Sequence, residues 1–364
     1  MSKAAQLAAL IGSGQAQGDK NLIINGAMQV AQRGTSAATQ TTLAYHTVDR
    51  FKIGPSNMGT FTHTQESDGP DGFSKSVKLV CTTADASPAA ADNITIQNII
   101  EAQNLQHLSK GSSDAKSVTL SFYAKSNKTG TYTAEIFDGD NNRHISKTFT
   151  VSSSGTWEYK TITFVGDTSG ALNNDNGVGF YVLWHLGAGS NFTSGTLATS
   201  WQAQDDTDRV SSSNVNLADT VGNYFQLTGV SLEVGDVATP FENESFASTL
   251  QKCQRYYTTS GFNSGTSYGG GGIAMYAFTT SEAGGTVIFP TTMRAGPTIR
   301  TKDASGNIGG IHRAGGPGDV TSGVAVQWSV NAESDKVGFS GLTKSSAWAV
   351  GNMLIGVWDA TAEL

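Results

Sequence analysis

From Asn21 onward the chain is a series of short runs in which apolar and polar residues alternate, each closed by a cluster of Gly, Asn, Asp and Ser. A period of two is the pattern of a half-buried β-strand, and it excludes a helical bundle. The run Val118-Thr119-Leu120-Ser121-Phe122-Tyr123-Ala124 is followed, after Ser126-Asn127-Lys128-Thr129-Gly130, by Thr131-Tyr132-Thr133-Ala134-Glu135-Ile136-Phe137, and the pair predicts a hairpin. Runs at 149–151, 158–164, 179–184 and 224–232 continue the series, enough to fill a two-sheet sandwich of about eight strands. Composition agrees: Gly is 43 of 364 residues and charged residues are 15 %, against roughly 25 % charged in an ordinary globular chain. The wet surface is therefore made of small polar turn residues rather than the Glu and Lys of helix faces. At 38 % hydrophobic residues the chain is too apolar for disorder.

The pattern breaks at 246–256, where Phe246, Leu250, Cys253 and Tyr257 recur at helical spacing behind Ser245 as N-cap. A glycine-rich loop at 261–272 follows, and strands resume at 273–278, 285–289, 324–328 and 353–358. The expected organisation is all-β: an N-terminal attachment segment over 1–20, a sandwich over 21–243, a connecting helix over 244–260 and a second small β-domain over 261–364. Within the first segment, Lys3 precedes the apolar octet Ala4 to Ile11 and a flexible Gly and Gln tail. It reads as a brief amphipathic helix on a tether, too short to fold alone, that docks on the chain's own body or on a partner.

The net charge of −7 and the absence of any run among the 23 Lys and Arg residues exclude a general nucleic-acid binder. No stretch has the roughly 18 consecutive apolar residues of a membrane span. Cys81 and Cys253 are the two cysteines; they exclude a disulfide scaffold and a cysteine zinc site, and read as two buried or isolated thiols, with one long-range disulfide as the alternative.

Four segments together carry a resemblance. Asn21-Leu22-Ile23-Ile24-Asn25-Gly26-Ala27-Met28-Gln29-Val30-Ala31-Gln32-Arg33-Gly34, followed by Tyr45-His46-Thr47-Val48-Asp49-Arg50-Phe51, opens the sandwich. Asn223-Tyr224-Phe225-Gln226-Leu227-Thr228-Gly229-Val230-Ser231-Leu232-Glu233-Val234-Gly235 closes it and runs into Ala238-Thr239-Pro240-Phe241-Glu242 and Cys253-Gln254-Arg255-Tyr256-Tyr257. Met293-Arg294-Ala295-Gly296-Pro297-Thr298 opens the last part. In this order they resemble bacteriophage tail fibre and related virion structural proteins with a carbohydrate-binding-module-like jelly-roll domain. The resemblance implies a jelly roll, a structural role in the virion and a trimer. Similar modules in glycan-degrading enzymes hold a structural calcium with acidic residues in the opening stretch and the last strand. Here Ala27 stands at the first of those positions and Thr228 and Gly229 at the others, so no metal is expected.

Catalytic signatures are weak. Gly265-Thr266-Ser267-Tyr268-Gly269 matches a nucleophile elbow but sits in a glycine loop with His312 as the sole downstream histidine. The six histidines show no zinc spacing. Asp138-Gly139-Asp140-Asn141-Asn142 begins like a calcium loop, but Arg143 and Phe149 occupy the positions that need Gly and Glu, so it reads as a hairpin turn. Asp205, Asp206 and Asp208, and Asn173, Asn174 and Asp175, read as polar loops at the sandwich rim. Asp49 and Arg50 read as a buried ion pair or turn hydrogen bonds that fix the sandwich edge.

Sugar faces stack on Trp and Tyr, so the tryptophans are the glycan clue. Trp184, at a strand end before His185, and Trp201, in a polar segment, head the candidates for glycan binding. Trp157 reads as core, and Trp328, Trp348 and Trp358 as core or subunit-contact residues. The function expected is that of a non-enzymatic virion protein without cofactor, a tail fibre or fibre-like subunit on the particle surface. It would attach to other virion proteins through the N-terminal segment, bind a host surface glycan and form a homotrimer, without nucleic acid or membrane insertion. The alternatives are a polysaccharide depolymerase and a capsid or tail decoration protein.

Overall fold

A computed structural model describes residues 20–261, 272–303, 305, 307–314, 318–320, 322–327, 337–344 and 348–364. The attachment segment before Lys20, the Gly265–Gly269 motif and Trp328 lie outside the described residues. The fold is all-β, and its contacts divide it into two units: Met1–Gln29 with Ser36–Glu244, and Val30–Thr35 with Ser245–Leu364.

The first unit is a jelly-roll sandwich of two six-stranded antiparallel sheets. One sheet is ordered β1 (Ser36–Gln40), β3 (Thr60–Glu66), β4 (Ser76–Thr83), β12 (Tyr224–Val234), β6 (Val118–Ser126), β9 (Glu158–Phe164). The other is ordered β11 (Gln202–Ala203), β8 (Arg143–Val151), β7 (Gly130–Asp138), β10 (Val178–Ala188), β5 (Asn93–Glu101), β2 (Phe51–Ser56). Each strand turns alternate residues inward, so Leu79, Leu120, Phe122, Phe225 and Leu227 of one sheet meet Ile96, Tyr132, Ile136, Val182 and Trp184 of the other in one buried core.

The expected hairpin of β6 and β7 is not formed: the two strands lie in different sheets. Each has an apolar face that must reach the common core, and they do so from opposite sides. Ser126–Gly130 carries the chain across, with the Tyr132 hydroxyl donating to the Lys128 carbonyl at 2.7 Å. The hairpin partner of β7 is β8, joined through the Asp138–Asn142 turn read from the sequence.

The opening and closing motifs lie against each other. Asn21 Oδ1 accepts from Leu232 N at 3.0 Å, and its Nδ2 donates to Val230 O at 3.0 Å. Gly26 has to be glycine, since a Cβ there would stand 2.0 Å from Val230 O. Asp49 and Arg50 are fully buried at this edge. Arg50 Nη2 donates to Ile99 O at 2.6 Å, and Asn25 Nδ2 to Asp49 O at 2.9 Å.

Among the described residues the second unit holds the helix Phe246–Gln254 and a nine-stranded arrangement from β13 (Tyr257–Thr259) to β21 (Met353–Thr361). Ser245 caps the helix by accepting from Ser248 N at 3.2 Å. Thr249 and Cys253 form its buried face, whereas Phe246 is exposed, because the apolar stripe begins only one turn in. Strand β21 is flanked by β14 (Ile273–Ala277) and β17 (Ile311–Ala314). Its Leu354 and Trp358 are buried with Met275, Phe289 and Phe339, so the apolarity of 353–358 serves its own core.

Candidate functional site

The sandwich leaves half of one sheet face open. The outward positions of the sheet containing β12 run in register across four strands: Thr64 opposite Lys78, Lys78 opposite Gln226, Gln226 opposite Lys125. In the neighbouring row Thr228 faces Tyr123, and Tyr123 faces Tyr159. Towards the far end the face is closed by the chain's own segments: Thr119 Oγ1 donates to Gly235 O at 2.7 Å, and the ring of Phe73 packs on Tyr123 and Phe241. Room for Phe73 comes from Gly229, at φ +60°, where a Cβ would lie 2.8 Å from that ring. The same packing leaves no room for an acidic side chain at 229, and Thr228 is engaged through its Oγ1, which donates to Lys75 O at 2.7 Å.

On the open half, Trp157 and Tyr224 are half-buried and Tyr159 is 48 % exposed. The loop before β9 owes its shape to Glu158, whose Oε1 accepts from Ser152 N at 2.9 Å and Ser153 N at 2.6 Å, while Oε2 pairs with Lys160 at 2.6 Å. Asp68 reaches over the floor from the β3–β4 connection. It pairs with Lys125 at 2.8 Å and accepts from Gln226 Nε2 at 3.1 Å and Trp157 Nε1 at 3.4 Å. Gln226 is itself buried and also donates to Ser76 Oγ, so it anchors Asp68 rather than meeting solvent. The Lys125 ammonium lies 5.7 Å from the Trp157 ring centroid, and that of Lys78 4.8 Å from the Tyr224 centroid. The hydrogen bond from Lys125 holds the Asp68 carboxyl below its usual value, against a smaller opposing effect of burial. Burial works to raise Glu158, but Lys160 and the two serine amides bring it below its usual value.

The tryptophans ranked first from sequence lie elsewhere. Trp184 is 0 % exposed, edge-on to Phe122 at 5.7 Å in the core, which removes it as a stacking platform. Trp201 is half-buried beside the other sheet. Its Nε1 donates to Val165 O at 2.7 Å, and its ring packs near Phe180 and the Lys110 ammonium. Trp157, read from sequence as core, is on the open face. Tyr123, Tyr159 and Tyr224 were missed, although each stands on the outward parity of its strand.

The rim loops considered for calcium are internally satisfied. Asp138 Oδ1 accepts from Asp140 N and Asn141 N, Asp140 holds Asn173, and Asp208 Oδ1 accepts from Thr196 N. Among the described residues no group of three His, Cys, Asp or Glu is placed to hold a metal ion. A second polar cluster is buried under the loop after β10: Glu135 takes both Arg209 Nε at 2.9 Å and His185 Nε2 at 2.7 Å, with His144 Nδ1 at 3.3 Å. Burial opposes ionisation of Glu135, but His144, His185 and Arg209 together hold it far below the usual range. With Arg209 on both of its oxygens, that carboxylate fastens the loop to the sheet.

No protein-family model and no curated protein matches the chain. Among solved structures it is similar to the enzymatically active domain of bacteriophage CBA120 tailspike protein 4, at TM-score 0.32 and 13 % identity over 59 % of this chain and 21 % of that one. It is also similar to a family 11 carbohydrate-binding module from Clostridium thermocellum in complex with a β-1,3-1,4-mixed-linked tetrasaccharide, at TM-score 0.30 and 10 % identity over 57 % of this chain and 99 % of that one. A third is TmCBM61 in complex with β-1,4-galactotriose, at TM-score 0.29 and 8 % identity over 59 % and 99 % of the two chains. The chain thus spans about a fifth of the tailspike domain. These similarities are remote, and the functional reading rests on the residues.

Proposed function

We propose that the open half of this sheet face binds a surface glycan and that the protein is a non-enzymatic virion subunit, a tail fibre or fibre-like component of the particle surface. The observation that carries the glycan reading is the set Trp157, Tyr159 and Tyr224, two rings in outward strand positions of one sheet and one in the loop before β9, with the charged groups of Asp68, Lys78 and Lys125 beside them. Stacking of a sugar's C–H face removes apolar area from water, while its hydroxyls exchange water for fixed donors and acceptors. Asp68 and Glu158 are both biased towards the ionised form. That favours retention over cleavage, since a glycosidic oxygen needs a carboxylic acid to protonate it.

The virion setting is supported by the resemblance of the opening and closing motifs, and the attachment role of residues 1–20 by the apolar octet there. For the homotrimer the supporting surface is an apolar outward row in the second unit, with Tyr276, Phe278 and Ile288 each more than half exposed.

Incubation of the pure protein with host surface polysaccharide tests the reading. Retention without release of reducing ends is expected, and the double variant Trp157→Ala/Tyr159→Ala should lose roughly ten-fold in affinity for two lost stacking contacts while still unfolding in one cooperative transition. Release of oligosaccharide would establish a depolymerase. Absence of both would overturn the glycan reading in favour of a decoration protein.

A further inference from the structure

The geometry points to an anionic glycan as the ligand of this face, with Lys78 as the residue that reads its charge; this rests on the glycan reading above. On a chain of net charge −7, the open face and its rims carry Lys75, Lys78, Lys125 and Lys160 against Glu66, Asp68, Asp71 and Glu158, so that the face itself is balanced. Lys125 and Lys160 are taken up by carboxylates, whereas Lys75 and Lys78 have no carboxylate at salt-bridge distance among the described residues. Lys125 is matched by Asp68 at 2.8 Å and Lys160 by Glu158 at 2.6 Å. Lys75 donates to Ser67 Oγ at 2.8 Å, and Glu66 accepts from Thr64 Oγ1 at 2.7 Å.

Lys78 lies on β4, between Thr64 and Gln226 in register. Its ammonium rests 4.8 Å from the centroid of Tyr224, with no carboxylate of the described residues at salt-bridge distance. The ring holds a flexible side chain in one place, beside an aromatic platform. A sugar stacked at Tyr224 therefore brings its ring substituents to this ammonium. A neutral hydroxymethyl group would strip water from the cation and return only a neutral hydrogen bond, whereas an anionic substituent returns a charge-assisted one. Lysine is a point charge without arginine's planar fork, so the recognised chemistry is the anion itself, on a sugar carboxylate or on a phosphate diester.

The test is an array of bacterial surface polysaccharides that includes each acidic polymer beside its carboxyl-reduced or phosphate-free counterpart, probed with wild type, Lys78→Gln, Lys78→Arg and Tyr159→Ala. The wild type is expected to bind acidic members over their neutral counterparts, with affinity falling as salt rises. Lys78→Gln should lose roughly ten-fold on those members and most of the salt dependence, at unchanged melting temperature, and Lys78→Arg should restore both. Loss on carboxyl reduction identifies the carboxylate source, and loss on phosphate removal the diester. Neutral hits that Tyr159→Ala abolishes would overturn the anionic assignment and leave the glycan reading standing. Acidic hits bound equally by Lys78→Gln would do the same. No hit at all would overturn both.

Discussion

Lys110→Met is the most decisive test of how the sandwich is held together. The Lys110 ammonium is enclosed by four oxygens: Asp138 Oδ2 at 2.5 Å, Asp167 Oδ2 at 3.1 Å, Ser169 O at 2.9 Å and Gly170 O at 2.8 Å. The side chains of Lys110, Asp138 and Asp167 are almost without solvent contact. Arg143 also binds Asp167, through Nε at 2.7 Å and Nη2 at 3.1 Å, so that carboxylate keeps a cation when Lys110 is removed. Asp138 keeps two amides and the Asn141 side chain as hydrogen-bond donors, with the Arg143 guanidinium nearby but not bonded to it. Removing one partner of a buried pair costs about 3–5 kcal/mol. At roughly 2–4 °C per kcal/mol for a unit of this size, the transition should fall by about 6–20 °C. Methionine keeps the length and apolar stem of lysine, so the loss reports the charge and not a cavity. Calorimetry and urea unfolding followed by tryptophan fluorescence measure it, and adding Asp138→Asn should recover a large part by removing the stranded charge. A loss under about 1 kcal/mol, or further destabilisation by Asp138→Asn in the Lys110→Met background, would refute the reasoning.

Trp184→Ala should cost about 3–5 kcal/mol as a core truncation, and a melting temperature within a degree of wild type would contradict the burial of this residue. His63 sits in the core on β3 against His46, with neither ring nitrogen hydrogen-bonded among the described residues, and burial followed by the His46 charge lowers it to about 3. The fold therefore excludes a proton that the unfolded chain accepts below pH 6.5, so stability should fall by about 1.4 kcal/mol per pH unit on acidification from there. A flat profile between pH 6.5 and 4.5 would contradict this, and His63→Leu should remove the slope. Gly229→Ala forces a side chain onto a φ of +60° and into the rings of Phe73 and Tyr123. About 1–3 kcal/mol of stability should go, with altered near-ultraviolet dichroism of the aromatic cluster. Light scattering should give three chains per particle, with Tyr276→Lys/Ile288→Lys reverting to one; a wild-type mass of one chain would defeat the trimer.

Much of the fold was legible because strand periodicity is local. The runs at 158–164 and 224–232 fall on β9 and β12, and the Asp138–Asn142 turn and the Ser245 cap follow from the chemistry of adjacent residues. Parity within a run also separates Leu120, Phe122 and Ala124 from Ser121, Tyr123 and Lys125 by face. What no run contains is the identity of its neighbours. Gln226 comes between Lys78 and Lys125, and Tyr224 comes to the Lys78 ammonium, only because β12 inserts between β4 and β6, more than ninety residues away in sequence. The same non-local pairing decides which face is wet. Trp184 shares its parity with Phe180, Val182 and Leu186, and the opposing sheet covers that side, while the alternate side of β6 and β9 stays partly open. Lys110 is the limiting case. In sequence it is a lysine before a glycine in a polar loop, and it is buried because Asp138 at the end of β7 and Asp167 with two carbonyls of the β9–β10 connection close around it. Strand formation depends on the residues within each strand, whereas the binding face and the buried charges depend on which strands close the sandwich, and only packing of the two sheets settles that.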